Sequence, residues 1–118
     1  MLRSFKYAAR GVAAAFAGRN IRIMAACFVL VTAAGFLVGI TAIEWAAVLL
    51  CCAGVISLEM VNTALESAVD IATTEYKPLA KKAKDIAAGA VLVFSIVSAA
   101  VGLIIFVPHI IRLINAAG

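Results

Sequence analysis

Residues 45–70 read WAAVLLCCAGVISLEMVNTALESAVD. Residues 45–58 of this stretch carry no charge, and the remainder keeps a helical pattern while adding Glu59, Asn62, Glu66 and Asp70. These four are spaced i, i+3, i+7 and i+11, so at about 100° per residue they fall in one narrow stripe, with Thr63 beside it. Glu59 lies ~21 Å along the helix from Trp45 at 1.5 Å per residue, against a hydrocarbon core ~30 Å thick. The stripe therefore begins inside the membrane and runs out past its edge.

The flanking sequence supports a membrane reading. Residues 23–43 and 86–107 are uncharged throughout, and each is long enough to span, which takes about 20 residues. Glu44 and Trp45 close the first span, Trp being a common interfacial residue. Residues 73–85, TTEYKPLAKKAKD, are polar and basic and contain Pro78, which predicts a loop leading into a new helix. Pro108 follows the last span, then a short tail with His109 and Arg112. Residues 1–20 place Arg3, Lys6 and Arg10 on one helical face and Leu2, Phe5, Ala9 and Val12 on the other, the pattern of a surface-lying helix. The expected architecture is a single all-α membrane domain over residues 1–118, with a surface helix over about 1–20 and spans over about 23–43, 45–70 and 86–107.

Composition agrees. Hydrophobic residues make up 66% of the 118, and the mean hydropathy is +1.17. A soluble domain this small has too much surface per volume to hide that apolar area. The net charge of +4 is concentrated in residues 1–22, which contain no acid, and in Lys77, Lys81, Lys82 and Lys84. A nucleic-acid binder needs an exposed basic face on a soluble body, which is missing here. Basic groups flanking apolar spans are topology signals and headgroup contacts. By the positive-inside rule they put the N-terminus and the 73–85 loop in the cytoplasm and the C-terminus outside. Cys27, Cys51 and Cys52 sit in apolar runs without a CxxC, and packing is the expected role. Trp45 and His109 read as interface residues, and the small run 87–90 as a site of close helix packing.

A carboxylate facing lipid is costly, so the stripe must face a cavity, a metal or a partner. Its oxygens are the ligand type preferred by hard cations such as Mg²⁺. Lys84 and Asp85 follow at the start of the third span. An ammonium beside a carboxylate-held metal suits a nucleoside polyphosphate, and an acid at the membrane end can take a proton from a lipid hydroxyl. Glu66 and Asp70 also fit a solvated face outside the membrane, and the lysines fit a headgroup patch.

The run EMVNTALESAVD (59–70), followed by KKAKDIAAGA (81–90), resembles the ExxNTAIExxxD…AKDxAAxAV signature of prokaryotic diacylglycerol kinases. The resemblance extends over nearly the whole chain and is closest to the undecaprenol kinase branch of Gram-positive bacteria. It implies a homotrimer that transfers the γ-phosphate of MgATP to a lipid alcohol, most simply undecaprenol, with diacylglycerol second. It also implies Glu59 as catalytic base, Glu66 as a metal ligand that contacts ATP, and Asn62 beside it. Asp70, Glu75, Tyr76, Lys77, Lys84 and Asp85 match positions around the nucleotide, and Tyr7 matches an N-terminal aromatic near ATP. Gly18 stands where the family usually has a metal-binding Glu, and Met24 where it has a His, so the metal should depend more on ATP for its binding. The rival readings are a small cation- or proton-coupled transporter and a catalytically impaired kinase relative.

Overall fold

A computed structural model describes all 118 residues, and its only regular elements are helices. They are α1 (Leu2–Ala15), α2 (Arg19–Val38), α3 (Ala42–Ala72) and α4 (Pro78–Ala117). The last three are each long and apolar enough to cross a membrane. Only 8 of the 118 residues are buried, and Phe36, Leu37, Leu50 and Ile104 are among the large apolar side chains left exposed on the spans. That surface calls for hydrocarbon or neighbouring protein to cover it.

Local chemistry moves several boundaries from those expected. The N-terminal helix stops at Ala15, and Arg19 and Asn20 already belong to α2. The Arg22 guanidinium folds back over the turn between them, donating from Nη2 to the Ala17 carbonyl at 2.9 Å. The first span ends at Val38 instead of residue 43, because Gly39 adopts φ +72°, a left-handed conformation open to glycine. Glu44 and Trp45, read as closing the first span, instead belong to the first turn of α3. Thr41 caps that helix, its hydroxyl accepting from the Glu44 N–H at 3.2 Å while Glu44 Oε1 accepts from the Thr41 N–H at 2.9 Å. This reciprocal pair satisfies two donors that a helix start otherwise leaves free.

The loop expected over 73–85 shrinks to residues 73–77. Pro78 takes the first position of α4, where its missing N–H costs nothing and its fixed φ suits a helix. Lys81, Lys84 and Asp85 are consequently helical. Pro108 does not end the last span either: α4 is 40 residues long and carries His109 and Arg112 within it. Pro108 only leaves the Ile104 carbonyl without its usual donor.

α3 is an unbroken 31-residue helix, ~46 Å long at 1.5 Å per residue. Its main packing partner is α4, with α2 against both and α1 touching α3. Among the buried or half-buried residues of α3, Val48, Cys52, Val55, Glu59, Asn62 and Val69 are spaced at steps of three, four or seven, the spacing of a helix–helix packing seam. The apolar part of that seam, Val48 with Ile40 and Ile105, forms the core. Close approach occurs at two glycines. A Cβ on Gly54 would lie 2.3 Å from the Phe94 ring, and one on Gly35 would lie 2.8 Å from the Trp45 ring. The run 87–90 is not such a place, since a Cβ on Gly89 would meet nothing within 4 Å.

Trp45 and His109 turn out to make internal contacts. Trp45 packs on Phe36, with ring centroids 4.8 Å apart, and His109 Nε2 lies 2.9 Å from Glu44 Oε1, tying α4 to α3 at the ends remote from the lysines. All three cysteines are free, and Cys51 and Cys52 are half-buried on α3.

Candidate functional site

The seam on α3 changes chemistry along its length. After Val48, Cys52 and Val55 the same face presents Glu59 and Asn62, each only 7% exposed and together the chain's only buried polar or charged residues. Glu66 follows one turn later and is exposed. Asn62 Nδ2 donates to Glu66 Oε1 at 3.3 Å. Asn62 Oδ1 is buried with no hydrogen-bond partner. An orphaned buried acceptor is unusual, and it is suited to a cation or a donor brought by a ligand.

Three contacts fix the register of α3 against α4: Glu44 with His109, Gly54 with Phe94, and Asp70 with Lys84. The Lys84 Nζ to Asp70 Oδ1 distance is 2.5 Å. Asp70 marks the edge of a cleft of about 520 Å³ between the end of α3, the 73–77 link and the start of α4, a volume in the usual range for small-ligand sites. The cleft brings together five of the residues expected around a nucleotide: Asp70, Glu75, Tyr76, Lys77 and Lys84. It also takes in Thr73, Thr74 and Lys81, which sequence reasoning left out of the site. The signal for Lys81 was present, since it repeats Lys77 one helical turn later. The two threonines became part of the cleft because α3 ends at them, which no motif announced.

Not every expected residue arrives there. Asp85 is outside the cleft and pairs with Lys81 Nζ at 2.6 Å. Tyr7 lies on α1, exposed, with the Arg10 guanidinium 5.9 Å from its ring centre, and does not line the cleft. Glu59, Asn62 and Glu66 run along α3 from the cleft toward the membrane interior, Glu59 being ~16 Å from Asp70 along the helix axis.

The chain assembles no group of three or more His, Cys, Asp or Glu side chains suited to a metal. What it offers a hard cation is the free Asn62 Oδ1 and the Glu66 carboxylate. That donor set has the right chemistry for Mg²⁺ but falls short of its octahedral demand, so a bound ion would need further oxygen ligands from outside these two side chains.

On the other side of Glu59 lies an apolar cavity of about 410 Å³ between α2, α3 and α4. Val55, Ile56 and Ser95 line its near end, and Val48 and Phe106 its far end. Glu59, one helical turn beyond Val55, thus stands between a greasy cavity and a lysine-lined cleft.

Three helices able to span a membrane, a buried carboxylate on one of them and a basic cleft beyond it are the arrangement a membrane-embedded lipid kinase requires. Residues 6–106 match the family described as prokaryotic diacylglycerol kinase, and the chain belongs to that family. It is 46% identical over 109 residues to an undecaprenol kinase of Bacillus subtilis, a match covering 92% of this chain and 89% of that one. It is 44% identical over 115 residues to a diacylglycerol kinase of Synechocystis, covering 96% and 66%. A diacylglycerol kinase of Helicobacter pylori is 45% identical over 51 residues, covering 43% and 40%. The family decides between the kinase and transporter readings in favour of the kinase.

Proposed function

We propose that this kinase transfers the γ-phosphate of MgATP to the hydroxyl of a long-chain lipid alcohol, undecaprenol first and diacylglycerol second. The observation that carries the proposal is the buried Glu59 on the same α3 face as Asn62 and Glu66, between the apolar cavity and the basic cleft. A polyphosphate anchored at Lys77 and Lys84 extends from there along that face toward Asn62, and a hydrocarbon chain entering the cavity brings its hydroxyl to Glu59, where the two meet. Glu59 accepts the hydroxyl proton as the oxygen attacks the γ-phosphorus; the bond from that phosphorus to the β–γ bridging oxygen breaks and ADP leaves, while Lys84 leaves Asp70 to neutralise phosphate charge. Asn62 and Glu66 are the residues that would hold Mg²⁺ with the nucleotide. When bound, the ion would offset charge on the phosphate oxygens and help align them. Undecaprenol is preferred because the relative bearing that name matches over nearly its full length.

The working form in this proposal is a homotrimer. The exposed apolar surface of the spans supports it, since a neighbouring subunit covers such surface as well as lipid does. α1 lies on the membrane surface, its cationic face toward headgroups and Leu2 and Phe5 inserted. The N-terminus and the 73–77 link face the cytoplasm, where ATP is, and the C-terminus lies outside. The test is a radiolabelled-ATP assay in detergent with each lipid offered separately. Label should pass to undecaprenol faster than to diacylglycerol. Transfer to neither lipid refutes the reading, and faster transfer to diacylglycerol reverses the substrate assignment.

A further inference from the structure

We propose that Gly102 determines which lipid chains this kinase accepts, because the gap it leaves in the wall of the apolar cavity seats the hydrocarbon behind the reacting hydroxyl. The proposal rests on the kinase reading above. Ser95, Ser98, Gly102 and Phe106 of α4 line the cavity, spaced i, i+3, i+7 and i+11 and therefore on one face of the helix. The three small residues hold that wall back over ~10 Å, and Phe106 stands ~6 Å further on, at 1.5 Å per residue. Phe106 packs on the core of Ile40, Val48 and Ile105 and closes the far end.

Glycine weakens a helix interior, so its place in α4 needs a reason. Close packing is the reason at Gly54 and Gly35, where an added Cβ would meet the Phe94 and Trp45 rings at 2.3 and 2.8 Å. It is not the reason at Gly102, where an added Cβ would meet nothing within 4 Å. Gly102 is instead part of the cavity wall, and apart from it and the two serines every lining residue is hydrophobic. A void between apolar helices forfeits the dispersion contacts of its lining, the contacts that hold helices together in a membrane. A hydrocarbon chain restores them without bringing a polar group into the cavity. Val55, at the near end, is one helical turn from Glu59, so a chain lying in the cavity continues from a hydroxyl at that carboxylate. The wall is short, so it reads only the part of the chain nearest the hydroxyl, and the remainder of a long lipid lies in the bilayer.

The test follows kcat/KM in neutral detergent micelles for isoprenoid alcohols of increasing length: geraniol, farnesol, geranylgeraniol and undecaprenol. In the wild-type chain the value should rise with length and level off once the chain passes Gly102. Gly102→Leu fills the gap and should lower kcat/KM for undecaprenol about three- to tenfold, less than a methylene is worth in an enzyme pocket in water, because micelle hydrocarbon takes up the displaced segment. The loss should lie in the KM for lipid, with kcat and the KM for MgATP within about twofold of wild type, and the shortest alcohol should be unaffected. Gly102→Ala, whose methyl meets nothing, should give a smaller loss of the same kind. Leu103→Phe, on an exposed side chain outside the cavity, should give none. A wild-type profile flat with chain length overturns the proposal, and so does an unchanged profile in Gly102→Leu. A loss of equal size on every alcohol makes Gly102 a structural residue and overturns it as well. A wild-type chain that labels no lipid alcohol from ATP refutes the kinase reading, and this inference falls with it.

Discussion

Glu59→Gln separates catalysis from structure, because the two should move in opposite directions. Glu59 is 7% exposed and lies ~25 Å from the start of α3 at 1.5 Å per residue, inside a hydrocarbon core of about 30 Å. A carboxylate near the edge of that core is held at some cost, less than the few kcal/mol of a charge at a helix centre. Glutamine keeps the shape and removes the charge, so the thermal midpoint in detergent should stay level or rise. Activity should fall steeply, since an amide cannot accept the hydroxyl proton. Loss of a general base costs about 10²–10⁴-fold, or ~3–5 kcal/mol of transition-state stabilisation. The assay pairs phosphate transfer at saturating MgATP and lipid with thermal unfolding followed by circular dichroism. Turnover within threefold of wild type would refute the role of Glu59 as base. Lost turnover accompanied by a lowered midpoint would make Glu59 a structural residue.

Glu66→Gln and Lys84→Ala should each raise KM for MgATP several-fold, about 1 kcal/mol or more per charge contact, while KM for lipid stays within twofold; unchanged nucleotide affinity in both returns them to a solvated face. Gly18→Glu should lower the Mg²⁺ concentration for half-maximal activity about threefold, the scale of one screened charge contact. Gly18 has an ordinary φ of −74° and its Cβ would lie 3.3 Å from the Ala15 carbonyl oxygen, so the change fits with a small adjustment. An unchanged or higher Mg²⁺ requirement would show that position 18 does not reach the metal. Gly54→Ala forces a methyl to within 2.3 Å of the Phe94 ring and should destabilise by about 1–3 kcal/mol as overpacking does, with partial rescue by Phe94→Leu; a midpoint equal to wild type denies the close approach. A cysteine label in residues 73–77 should react only from the cytoplasmic side and one at residue 118 only from outside, and the reverse pattern would put the cleft away from ATP.

The spans were legible because length and absence of charge over 23–43 and 86–107 are one-dimensional signals. So was the order of the acidic stripe, since 3.6-residue periodicity places Glu59, Asn62 and Glu66 on a common face without any knowledge of neighbours. Helix ends were read less well. The Thr41-x-x-Glu44 box was hidden at the end of an uncharged run read as one span, and Pro78 at a helix start lay in a polar segment that read as a loop. Gly39 ends α2 through a backbone angle that many other glycines in the chain do not adopt. Contacts over long separation were invisible. His109 meets Glu44 across 65 positions, and Asp85 turns toward Lys81 while Asp70 takes Lys84, pairings that depend on how α3 and α4 slide past each other.

The unbroken α3 has a consequence for the membrane around it. One end is fastened, by the Thr41 cap, the Glu44–His109 contact and Trp45 against Gly35. Glu59 comes 15 residues after Glu44, a distance of ~22 Å set by peptide geometry alone. The helix is therefore a length standard. In a bilayer whose hydrocarbon matches it, the carboxylate would sit at the headgroup boundary, where the proposed reaction needs it. A thicker bilayer strands it among acyl chains and a thinner one lifts it into water, so turnover should peak at one acyl-chain length.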